Sequence, residues 1–101
     1  MTRLRPSTMR FRVTARLRER FNRKCREVGL SSQDKAIELI RSAMRDGVEY
    51  PSDLSQFYGD SEINLRYIPL NVRVAFKIYC ARNHIPMRGA AAYLVYQFVN
   101  E

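Results

Sequence analysis

A shift of 55 residues lays this 101-residue chain on itself. Leu17, Phe21, Cys25, Leu30, Ala36, Leu39 and Ile40 fall on Val72, Phe76, Cys80, Ile85, Ala91, Leu94 and Val95. All seven positions stay apolar and four keep the same residue, while the polar positions between them have drifted. A duplicated packing unit explains that pattern: its two cores need one shape, and its two outer surfaces are free to differ. Units of about 45 residues are too small to bury an adequate core alone, so the copies are expected to share one. The expected organisation is a single domain, 1–101, with a first repeat at 8–46, a joining segment at 47–61 and a second repeat at 62–101.

Within each copy the hydrophobic period changes from two to nearly four. Met9, Phe11 and Val13 alternate with Arg10, Arg12 and Thr14, the pattern of a half-buried strand. Leu17, Phe21, Cys25 and Val28 then line one helix face, and Gly29 stops that helix as a left-handed cap. Ser31 or Ser32 is the N-cap of a second helix with Ala36, Ile37, Ile40, Ala43 and Met44 inward, ended by Gly47. In the second copy Ile63, Leu65 and Tyr67 alternate with Asn64, Arg66 and Ile68 before Pro69 stops the strand. Val72, Phe76, Tyr79 and Cys80 form the next stripe, Asn83-His84 turn the chain, and Pro86 opens the last helix. Ala91, Ala92, Leu94, Val95, Phe98 and Val99 give that helix its inner face. The joining segment can reach roughly 50 Å when extended, and its Tyr50, Phe57 and Tyr58 predict that it packs on the surface.

Charge is distributed by copy. Residues 1–46 hold 13 Lys+Arg against 5 Asp+Glu, 47–62 hold 4 acids and no base, and 63–101 hold 5 bases and 1 acid. The total of +8 points to nucleic acid or another anionic surface. No run of 18 apolar residues is present, so no membrane span is expected. The basic N-terminus lacks the apolar stretch of a secretory signal. Cys25 and Cys80 hold equivalent core positions with no CxxC spacing, which predicts two buried free thiols rather than a disulfide or a zinc site, and a reducing, cytoplasmic setting. His84 lies in a turn with no second histidine and no cysteine in a matching metal or catalytic arrangement, and there is no Gly-rich phosphate loop. No enzyme activity, metal or cofactor is expected.

Strand, helix, turn and helix with a basic polar strand face resembles the ribbon-helix-helix family of DNA-binding proteins (Arc, Mnt and MetJ repressor type). The Ile63-Asn64-Leu65-Arg66-Tyr67 strand followed by Pro69 carries the resemblance most closely, and the two copies together extend it over about 85 residues. The resemblance implies a mainly α fold with a two-stranded antiparallel β-ribbon, here as an intramolecular pseudo-dimer similar to the tandem single-chain form of TraY type. It implies sequence-specific binding of double-stranded DNA by a transcriptional regulator, with room for a second chain on an adjacent subsite. Three outward residues of each strand then meet bases: Thr8, Arg10 and Arg12, and Glu62, Asn64 and Arg66. Arginine pairs guanine O6 and N7, and asparagine pairs adenine N6 and N7. Phosphates fall to the starts of the second helices, through Ser31, Ser32 and Lys35, and through Met87 and Arg88. Arg3 and Arg5 are candidates for phosphate or minor-groove tracking. One departure is countable: Phe11 to Leu17 is six steps, whereas Leu65 to Val72 is seven.

Competing readings attach to the same residues. The strand polar residues can be a solvated sheet face, the serines plain helix caps, and the arginines of the first helix a solvated surface. A helix-turn-helix over Phe21–Ile40 is the alternative fold, but it leaves the polar-faced strand unexplained in both copies. A conjugative relaxosome accessory protein is the alternative role within the family. Antitoxins carry a toxin-binding tail that this chain is not expected to have. A protein-interaction module that has lost DNA binding is the alternative of another class, with the second copy as its seat.

Overall fold

The computed structural model describes residues Pro6–Glu101, so Arg3 and Arg5 lie outside the described residues. Strand β1 (Pro6–Val13) leads into helices α1 (Ala15–Glu27) and α2 (Ser32–Asp46); a single 3-10 turn (Ser55–Phe57) precedes β2 (Ser61–Pro69), α3 (Leu70–Arg82) and α4 (Met87–Val99). β1 and β2 pair antiparallel into a two-stranded sheet, with the four helices behind it. The expected switch from strand to helix period therefore occurs in both copies.

Local chemistry accounts for the boundaries. Thr14 turns its hydroxyl back to accept from the Leu17 N–H (3.1 Å), and Ser31 does the same for Asp34 (3.1 Å), each satisfying a donor that the first helical turn leaves free. Ser31, not Ser32, is thus the N-cap of α2. Both first helices end in one motif. In α1 the Leu30 N–H reaches the Cys25 carbonyl and that of Gly29 reaches Arg26; in α3 Ile85 reaches Cys80 and His84 reaches Ala81. The motif requires a left-handed residue, supplied by Gly29 (φ +77°) and, 55 positions later, by His84 (φ +56°).

The core is one cluster drawn from both copies. Met9, Phe11 and Val13 from β1 and Ile63 and Leu65 from β2 point into it, where they meet Phe21, Cys25, Ile40, Phe76, Cys80, Leu94, Val95 and Phe98. Phe21 of α1 packs edge-on against Phe98 of α4 (5.9 Å), so the helices of one copy close over those of the other. Both cysteines are buried and free. The joining segment is part of this packing: Leu54 and Phe57 are buried, and a Cβ on Gly89 would come within 2.8 Å of the Tyr58 hydroxyl and 2.9 Å of Leu54. Glycine at 89 is what lets the segment lie against α4.

Three expectations need correction. Val28, placed on the inner face of α1, is the C-cap and is exposed. Tyr67, expected inside, is 67% exposed, and Ile68, expected outside, is fully buried. The cause is a β-bulge. Arg10 pairs with Asn64 and Met9 with Leu65, but Ser7 pairs with Ile68, so Arg66 and Tyr67 together oppose Thr8. The extra residue of the second copy is absorbed there, and everything beyond it changes face. The bulged backbone is held from α2: Gln33 Oε1 accepts from the N–H groups of both Arg66 (2.9 Å) and Tyr67 (3.3 Å).

Candidate nucleic-acid interface

The face of the sheet turned away from the helices carries Thr8, Arg10, Arg12, Glu62, Asn64, Arg66 and Tyr67. Alternation on β1 and β2 puts all but Tyr67 there, because the intervening apolar residues are committed to the core, and the bulge turns Tyr67 out beside Arg66. The pairing is centred on Arg10 and Asn64, which the 54-residue offset between the strands makes equivalent. Arg12 faces Glu62 directly, and Met9 with Leu65 is mirrored by Phe11 with Ile63. All six residues proposed for base contact are therefore on one surface.

That surface is cationic and largely unpaired. Among the described residues, ion pairs join Glu19 with Arg23, Lys35 with Glu38 and Arg45 with Asp46, and none engages Arg10, Arg12, Arg66 or Arg88. The Asn64 Oδ1 is shielded from solvent with no hydrogen-bond partner among the described residues. An unpaired buried acceptor costs about 1–3 kcal/mol, so a ligand that lets this amide turn and pair regains part of that.

Concave ground flanks the ribbon on both sides. One hollow is bounded by Arg10, Arg12 and Glu62 together with Met87 and Arg88 at the start of α4. The other is bounded by Glu62, Asn64 and Arg66 together with Ser32, Gln33, Arg18 and Asn22. Each strand thus lies beside the second helix of the opposite copy. The two helix starts differ. α4 opens on Pro86 with no side-chain cap and no acid in its first turn, so its first N–H groups are free. α2 is capped by Ser31 and carries Asp34, which offsets some of its positive end.

Two proposed phosphate residues are already occupied. Lys35 is only 15% exposed at its side chain; it bonds Glu38 (2.9 Å) and lies over the Phe98 ring (4.6 Å). Ser32 donates to Asn22 Oδ1 (2.5 Å), tying α2 to α1. Met87 is half-buried at the α4 start and Arg88 is exposed there. Gln33, Asn22 and Arg18 were not anticipated. Gln33 could have been found from the strand count, since an inserted residue leaves backbone N–H groups that need an acceptor. No protein-family model matches the chain, nor does any curated protein or solved structure.

Proposed function

We propose that this chain is a sequence-specific double-stranded DNA-binding protein of ribbon-helix-helix type, in which one chain supplies both halves of the ribbon, acting as a transcriptional regulator. The observation that carries this reading is the sheet face: Arg10, Arg12 and Arg66 stand exposed on a two-stranded ribbon beside half-buried Asn64, and among the described residues no ion pair engages the three arginines. A ribbon of this width fits the major groove of B-DNA. Arg10, Arg12 and Arg66 then take guanine edges and Asn64 takes adenine, each good bidentate pair contributing about 1–3 kcal/mol of discrimination. The free N–H groups at the α4 start, with Arg88, hold one phosphate strand, and the α2 start holds the other less tightly.

The two halves of the ribbon present different residues, and the bulge adds Tyr67 to one of them. A single chain therefore favours a non-palindromic subsite, richer in guanine under Arg10 and Arg12. Selection of bound duplexes from a random pool tests this. The expected consensus is asymmetric; a perfect inverted repeat under one chain contradicts it. The position of the selected sequence, upstream of promoters or within a transfer origin, separates a regulator from a relaxosome accessory protein.

A further inference from the structure

Helix α3 has two apolar faces. Val72, Phe76 and Cys80 are buried, yet Leu70, Val74 and Ile78, on the opposite side, are 38%, 46% and 48% exposed. Spaced by four, these three form a continuous ridge along the helix, with exposed Ala81 beside Ile78. Single exposed apolar residues need no explanation, but an aligned ridge does.

The chain supplies its own control. The equivalent positions of α1 are Ala15, Glu19 and Arg23, and Glu19 and Arg23 form a solvated ion pair (3.7 Å). The same helix, in the same fold, thus needs no apolar ridge there. Cations border the ridge: Arg73 and Lys77 on one side, Arg82 on the other, all exposed, and α3 carries no acidic residue.

These facts choose the occupant. A second copy pairing α3 with α3 would set cations against cations in either orientation. The acidic segment of a second copy has the right charge, but its Leu54 and Phe57 are already buried in its own core. An apolar ridge spaced i, i+4, i+8 between basic borders fits an amphipathic helix with an apolar face and acidic flanks. We propose that the exposed ridge of α3 docks such an acidic amphipathic helix from a partner protein. Its area is small, so the contact is transient. It is separate from the ribbon and does not depend on the DNA reading.

The test uses the full chain and two synthetic helical peptides, one with leucines on one face and glutamates on both flanks, the other with lysine in place of each glutamate. The key variant is Val74→Glu with Ile78→Arg, which copies α1 and leaves net charge unchanged. Labelled peptide binding is read by fluorescence anisotropy, beside thermal melting and affinity for random duplex. The glutamate peptide should bind the wild type and the Arg10→Ala with Arg12→Ala variant alike. It should bind the Val74→Glu with Ile78→Arg variant at least tenfold more weakly, while melting and duplex affinity hold. Val74→Ser with Ile78→Ser should show the same loss. Equal binding to these ridge variants, or equal binding of the lysine peptide, overturns the proposal. Dimerisation or anionic-vesicle binding that the ridge variants abolish, without glutamate-peptide binding, also overturns it, reassigning the ridge to a second copy or a lipid surface.

Discussion

His84 holds the left-handed conformation (φ +56°) that Gly29 holds in the first copy (φ +77°), inside the same helix-ending hydrogen bonds. For a residue with a Cβ that conformation costs roughly 1–2 kcal/mol, part of which glycine gives back through its freer unfolded chain. Since His84 is exposed, His84→Gly should raise stability by roughly 0.5–1 kcal/mol, seen as a melting point a few degrees higher. An unchanged or lower melting point would mean that the imidazole makes a contact worth as much as the strain. Glycine announces this position in the first copy; in the second only the 55-residue register reveals it, because histidine has no such signature. The two cysteines make a second residue-scale prediction. Burial raises the Cys25 thiol pKa and pushes that of Cys80 up to about 11, against 9.0 for a free thiol. Below pH 9 both states keep the protons; above it the unfolded chain ionises first, so stability is lost as pH rises through about 11. Denaturant midpoints should hold from pH 8 to about pH 9 and fall from there to pH 11, and a flat profile across the whole range would contradict the burial of the thiols.

At the scale of elements, the bulge in β2 decides which residue enters the core. Extending the alternation of Ile63 and Leu65 puts Tyr67 inside, because a regular strand allows nothing else. The structure instead buries Ile68 and exposes Tyr67. Full burial of an isoleucine contributes about 1.5–3 kcal/mol, whereas a tyrosine there would also need a partner for its hydroxyl. That difference, with Gln33 ready to accept from the bulged N–H groups, outweighs regular pairing. The inserted residue was countable in the sequence, as seven steps against six. Its place was not, since it depends on Gln33, more than thirty positions away in α2. Deleting Tyr67 should restore plain alternation with Ile68 still inward, while deleting Ile68 should force Tyr67 into the core. Urea melts should therefore find the Tyr67 deletion the more stable by about 2 kcal/mol. The reverse order would show that this site prefers the tyrosine inside, and would contradict the packing account of the bulge.

At the scale of the whole molecule, residues from both ends of the 55-residue register share one core beneath two unlike surfaces. The core was legible because shape fixes it: the apolar positions that match at a 55-residue offset are mostly those found buried. The ribbon face was legible for the complementary reason, since alternation sends Arg10, Arg12 and Asn64 outward once Met9, Phe11 and Leu65 go inward. The helix starts were less so, because Lys35 has the sequence context of an anion contact but spends its charge on Glu38 and the Phe98 ring. Binding through about six phosphates predicts that log affinity falls with log salt at a slope near −5, measured on random duplex. A flat response would remove DNA as the partner. The most direct measurement compares two double variants on the selected duplex at fixed salt: Arg10→Ala with Arg12→Ala on the ribbon, and Arg16→Ala with Arg20→Ala on the exposed part of α1. Each pair removes the same charge. The ribbon pair should lose at least a hundredfold in specific affinity, about 2.7 kcal/mol, while the helix pair loses only a few-fold. Equal losses from both pairs, or an intact affinity in the ribbon pair, would contradict recognition through the ribbon.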